Sequence, residues 1–243
     1  MDAAATAVVA DRAAATGTRL LAYGEHVEVL SCRDDLDGQD LVVRIGSATY
    51  RARLPLRGAH QAVNAALALA AVDTLLGPAR PLDVAATQGA LAAAQVPGRT
   101  ERLTCPGRPD VVLDVAHNED AARALAAAMA DQCADVPLAL VVAASPGRDL
   151  ARFLRPLLPL ASAAYLVASE RRSEGAAAPD APLIRVVSVT DALAAAERHV
   201  GPDGRILVTG THRLVAAARG ELRPTWSTGA AAGWDDTRRY AAP

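Results

Sequence analysis

Residues 110–118 read DVVLDVAHN, and residues 119–131 continue as EDAARALAAAMAD. The first stretch is an unbroken aliphatic run that closes on a carboxylate, the pattern of a short strand covered on both faces. The second has the three-and-four spacing of an amphipathic helix. The same pairing recurs downstream: LALVVAA (138–144) before a helix over 149–158, AAYLVA (163–168), IRVVS (184–188) before a helix over 190–200, and RILVTG (205–210) before a helix over 212–219. Strands alternating with helices predict an α/β, Rossmann-like domain with a mostly parallel sheet. Right-handed crossovers place the loops that follow the strands on one edge, where such sheets bind ligands, so the candidate site lies after Asp114, Ala144 and Gly210.

Upstream, the period changes. Residues 2–16 have an Ala-rich helical pattern, followed by the alternating runs RLLAYG, HVEVLSC, DLVVRIG and ATYRARLPL, a small antiparallel meander. Residues 58–76 form a helix stopped by Gly77-Pro78, and residues 82–94 form another. Val96-Pro97-Gly98-Arg99 breaks that helix, placing a domain boundary near residue 100. The expected organisation is an incomplete first domain over 1–98, an α/β domain over 101–219 and a flexible tail over 220–243. Residues 171–182, RRSEGAAAPDAP, read as a flexible loop.

Composition narrows the function classes. Twenty-five basic and 27 acidic residues give a net charge of -2 with no dense basic block, which argues against a nucleic-acid partner. Cys32, Cys105 and Cys133 are scattered without metal-ligand spacing and fit a reducing cytoplasm. The N-terminal run is broken by Asp11 and Arg12, so it reads neither as a signal peptide nor as a membrane span. The 243 residues contain no lysine. That removes a P-loop lysine, a Schiff base and a carbamylated metal ligand from what they can supply.

Four local signals bear on chemistry. Asp114 and His117 combine a carboxylate and an imidazole where a strand meets a helix N-terminus, a place that binds hydroxyls and anions; the competing reading is a helix cap with a surface histidine. Arg99 in Pro97-Gly98-Arg99 is either a nucleotide contact at a domain joint or a surface residue of a hinge. Asn64, in GAHQAVN at the start of an apolar helix, needs a specific hydrogen-bond partner if it is in the core. Gly210-Thr211-His212 allows close approach to a ligand or simply makes a tight turn.

Taken together, LPLRGAHQAVNAALALAAVDTLLG, QVPGRTERL, DVVLDVAHNEDAARAL and RILVTGTHRLVAAAR resemble, across residues 15–219, the folylpolyglutamate/dihydrofolate synthase family of Mur-type ligases. That family shows a G-x-HQ-x-x-NA helix, a PGR hinge, a D-x-AHN strand end and a late LV-x-GS turn, in this order. The resemblance implies that Asn64, Arg99 and Asp114 match ATP-contacting positions. It also implies that Asp114 and His117 are catalytic and that His117 and Thr211 face nucleotide and incoming glutamate, Thr211 standing where the family has Ser. Ala144-Ser145-Pro146-Gly147-Arg148-Asp149 replaces the family's Gly-Met-rich turn and Asp-Lys-Asp.

The implied activity is ATP-dependent ligation of L-glutamate to a folate or pteroate carboxylate through an acyl phosphate, with Mg²⁺ as the family's metal. No GxxGKGS-like loop and no upstream Glu/His metal pair occur in the 243 residues. By the family pattern Met1 falls inside the central domain. The expected origins are a fragment, a mis-started frame or one chain of an enzyme split from a P-loop-containing partner. A non-catalytic descendant that binds a nucleotide, folate or protein is the alternative; an ordinary dinucleotide-binding domain ranks last, because no GxGxxG follows a strand.

Overall fold

The computed structural model describes residues 3–35, 37–130, 135–143, 147–167, 183–222 and 227–228. Cys133, the segment 171–182, Ala144–Pro146 and most of the expected tail lie outside them. The chain divides into two compact units, one of residues 1–55 and 59–94, the other of 56–58 and 95–243.

The first unit opens with α1 (Ala3–Thr16), which has no buried residue. It continues into an antiparallel meander of β1 (Val27–Asp35), β2 (Gly38–Ile45) and β3 (Ala48–Leu54). Because strand side chains alternate, Leu41, Val43 and Ile45 of β2 go to the face that also holds Tyr50 and Leu54, all buried, while Asp40, Val42 and Arg44 face outward. The inner face is covered by α2 (Ala59–Leu76) against β1 and β2, and α3 (Val84–Ala92) packs on β3. Burying Leu41 and Leu54 contributes about 1.5–3 kcal/mol each. RLLAYG is not a strand. Only Tyr23 makes an isolated bridge, to Val27, because Gly24 at φ +92° turns the chain and Ala22 N–H donates to His26 Nδ1 at 3.2 Å.

Helix α2 is apolar all round, and by length and composition alone it could cross a membrane. In this fold Gln61, Ala62, Ala65, Ala66, Leu69 and Ala70 form its buried side, while Leu67, Val72 and Leu75 stay exposed.

The second unit is a mixed, mostly parallel sheet. Its elements, in order, are β4 (Glu101–Thr104), β5 (Asp110–Leu113), α4 (Glu119–Ala130), β6 (Leu138–Val142), α5 (Leu150–Leu154), β7 (Ala163–Val167), β8 (Leu183–Val186), α6 (Val189–Val200), β9 (Arg205–Thr209), α7 (His212–Leu222) and the two-residue β10 (Ser227–Thr228). The strand order is β10-β4-β5-β9-β6-β7-β8, parallel from β5 to β8 and antiparallel at β4 and β10. Period-2 alternation splits every inner strand between two cores. Val111, Leu113, Val141, Ile206 and Val208 pack under α6 and α7, while Val112, Leu138, Leu140, Val142 and Leu207 pack under α4 and α5. The α5 helix stops at Leu154, short of the expected residue 158, because Pro156 cannot donate its hydrogen bond.

Candidate functional site

After β5 the chain turns onto the α4 face of the sheet; after the adjacent β9 it turns the other way, onto the α7 face. Diverging turns at neighbouring parallel strands open the crevice in which sheets of this kind hold ligands. The two turns are stitched together: Asp114 N–H donates to Val208 O at 3.0 Å, Gly210 N–H to Ala116 O at 2.9 Å and Thr209 Oγ1 to Ala116 O at 3.3 Å. Gly210 has φ +109°, and a Cβ there would lie 2.1 Å from Ala143 O, so only glycine lets the β9 turn cross the end of β6.

Asp114 is 4% exposed, and its carboxylate is engaged internally. Oδ2 accepts from Thr100 N–H at 2.8 Å and from Thr100 Oγ1 at 3.2 Å, while Oδ1 accepts from Ala116 N–H at 2.8 Å. Thr100 is itself unusual, a β-branched residue at φ +49°, where the backbone costs on the order of 1–3 kcal/mol unless its surroundings hold it. Gly98 completes the clamp. Its carbonyl accepts from Val115 N–H at 2.9 Å, its N–H donates to Glu101 Oε2 at 2.9 Å, and a Cβ would meet Val215 and Val115 at 2.9 and 3.0 Å. Glu101 in turn accepts from Arg219 Nε at 2.9 Å. Arg99 therefore sits between two residues pinned to the end of β5. Its half-buried side chain has no hydrogen bond or ion pair among the described residues.

His117 follows at the mouth of the crevice. Its Nδ1 lies 3.1 Å from Val115 O, which fixes the proton on Nδ1 in the neutral ring and leaves Nε2 an open acceptor. Its carbonyl accepts from Arg148 Nη1 at 3.0 Å. Across the crevice stands His212, the first residue of α7, exposed, with its ring centroid 5.9 Å from that of His117. In the sequence His212 shows only as the end of the Gly210-Thr211-His212 turn; its pairing with His117 depends on β9 lying beside β5, which strand spacing does not reveal. Thr211 and Asn118 act as helix caps: Thr211 Oγ1 accepts from Leu214 N–H at 3.0 Å and Asn118 Oδ1 from Ala121 N–H at 2.8 Å.

Behind His117, Glu119 is knotted by three arginines: it pairs with Arg123 and Arg155, and its Oε2 lies 3.1 Å from Arg152 Nε. Arg155 first, then the charges of Arg123, Arg152 and Arg155, hold its carboxyl below the usual range. No group of three or more His, Cys, Asp or Glu comes together among the described residues.

Asn64 belongs to the other unit. It is exposed on α2, with Nδ2 donating to Gln61 Oε1 at 3.2 Å, and Gln61 Nε2 lies 3.1 Å from His60 Nε2. The buried amide of this helix is Gln61 rather than Asn64.

Residues 98–212 match the family model of the Mur ligase glutamate ligase domain. Over 81 residues, 32% of the chain, the sequence is 46% identical to the dihydrofolate synthase/folylpolyglutamate synthase of Mycobacterium tuberculosis, covering 16% of that protein. Over 194 residues, 72% of the chain, it is 34% identical to the UDP-N-acetylmuramoyl-L-alanyl-D-glutamate--2,6-diaminopimelate ligase of Alkalilimnicola ehrlichii, covering 37% of it. Among solved structures, Mycobacterium tuberculosis folylpolyglutamate synthase complexed with ADP and AMPPCP superposes with a TM-score of 0.77 at 27% identity, over 89% of this chain and 52% of that one. The chain thus spans about half the length of the solved structure and less of the two curated relatives.

Proposed function

Because the chain belongs to the folylpolyglutamate/dihydrofolate synthase family of Mur-type ligases, we propose that it supplies the amino-acid-side half of an ATP-dependent amide ligase. The reaction is ligation of L-glutamate to a folate or pteroate carboxylate. The observation that carries this reading is Arg99: a guanidinium without a partner among the described residues, on a turn held by the Asp114–Thr100 and Gly98–Val115 hydrogen bonds at the ligand-binding edge of a parallel sheet.

Bound ATP would supply the phosphoryl group that converts the acceptor carboxylate into an acyl phosphate. The chain's own residues then have separate tasks. Arg99 meets phosphate charge, a role suited to its planar fork of donors. Asp114 works through the 98–100 turn, holding Thr100 and so Arg99 in place. His117 offers Nε2 as acceptor to the incoming ammonium or amine, and the N-termini of α4 and α7 favour a carboxylate beside it. Thr211 keeps α7 in register for that role. Asn64 is assigned to the nucleotide by family resemblance. No step is assigned to Mg²⁺, because the described residues bring no carboxylate cluster together. A P-loop and its lysine must come from polypeptide outside these 243 residues, and the setting proposed is the cytoplasm.

The test is titration of ADP into the full chain and into the chain combined with the P-loop half of a folylpolyglutamate synthase, for the parent and for Arg99→Ala. Nucleotide binding that depends on Arg99, with glutamate-dependent turnover in the combined sample, supports the ligase reading. The buried, fully engaged Asp114 also suits a non-catalytic descendant, which would bind nucleotide without turnover in either sample.

A further inference from the structure

The outward face of the meander carries a groove of about 560 Å³ in the first unit, lined by Ser31, Arg33, Asp40, Val42, Arg51 and Gln88 among others. The register explains its composition. Ser31 is opposite Val42, Arg33 opposite Asp40 and Val42 opposite Arg51, so these side chains share the face turned away from α2. Gln88 of α3 closes one end, its Nε2 donating to Arg51 O at 2.9 Å.

The charges do not cancel within the groove. Asp40, the carboxylate in its lining, lies 3.5 Å from Arg53, which also holds Asp35 at 2.5 Å. Neither Arg33 nor Arg51 has a side-chain hydrogen bond or an ion pair among the described residues. Two strand spacings and two residues separate them, so their Cα atoms lie about 12 Å apart, and two flexible side chains can close on anionic groups several ångströms apart. An extended ligand with more than one carboxylate matches that span with a separate anionic group for each guanidinium.

We propose that this groove is a binding site for a small oligocarboxylate, held by Arg33 and Arg51 with Gln88 and Ser31 as neutral hydrogen-bond partners. The inference does not rest on the ligase reading, because the groove lies wholly within the first unit and its occupation needs no nucleotide.

Calorimetric titration of the full chain with tri-L-glutamate, L-glutamate, tri-L-glutamine and inorganic phosphate tests it. Tri-L-glutamate should bind, and tri-L-glutamine should not. Arg33→Gln and Arg51→Gln should each weaken tri-L-glutamate at least tenfold, while the lysine variants at the same positions retain part of the affinity. Arg80→Gln, an exposed arginine outside the groove, should change nothing. Unfolding midpoints equal to the parent's check that the variants are folded. No binding of tri-L-glutamate at millimolar concentration, phosphate binding as tightly as tri-L-glutamate, or parent-like affinity in both glutamine variants would each overturn the assignment.

Discussion

Arg99 and Asp114 divide one task between reach and support. On the proposed reading Arg99 meets the phosphates of the nucleotide, so Arg99→Ala should lower nucleotide affinity in the combined enzyme by about 1.5–3 kcal/mol, roughly 10- to 150-fold in Kd, with no change in unfolding midpoint. Asp114→Ala frees Thr100 from its positive φ and leaves buried donors unpaired, so calorimetry should report lost stability together with weaker nucleotide binding. Glu119 gives a pH signature. Its carboxyl is held below the ordinary range by Arg155 first, so its stabilising contribution is full above the unfolded-state value and fades as pH falls through the lower folded-state value. Thermal midpoints measured downward from neutral pH should fall more steeply in the parent than in Glu119→Gln.

At the scale of the element, two substitutions separate packing from capping. Gly210→Ala would place a methyl 2.1 Å from Ala143 O at φ +109°, so a loss of about 3 kcal/mol or more is expected in denaturant unfolding. Ser188→Ala removes the cap of α6, whose Oγ accepts from Asp191 N–H at 3.0 Å, and should cost about 1 kcal/mol without altering the site. The parallel strands were legible in the sequence because they are covered on both faces and read as continuous apolar runs. β4 was not: Glu101-Arg102-Leu103-Thr104 buries only Leu103 and borrows its order from pairing with β5. RLLAYG misled for the opposite reason, an apolar run with no neighbouring strand to complete it. The candidate site was legible as motifs but not as geometry. DVAHN and TGTH each announced a strand end, yet the internal engagement of Asp114 and the approach of His212 to His117 come from strand order, which is a long-range property.

For the whole molecule, the family assignment joins two observations that pull apart: the fold of a ligase and a sequence without lysine. The 243-residue chain alone should show no glutamate-dependent ATP hydrolysis, because phosphoryl transfer depends on charge stabilisation by a P-loop and its lysine, which do not occur in these 243 residues. Family-like turnover by the purified chain would refute this. Limited proteolysis should leave a resistant core beginning near residue 95–100, since the second unit has two buried cores while the first leaves α1 without any buried residue.

The position of β9 has a consequence for how the chain reaches its native state. It is the last of the five parallel strands to be synthesised, yet it lies between β5 and β6, which leave the ribosome well before it. Until residues 205–209 arrive, β5 and β6 have no partner on their shared side, and the nascent sheet exists as two separate pieces with open edges. The closing step joins residues 95 positions apart, a long-range pairing of the kind that slows folding. A truncation just before Arg205 should therefore abolish cooperative unfolding of the second unit rather than trim it, and during synthesis the interval before β9 emerges is when the chain is most open to aggregation and most dependent on chaperones.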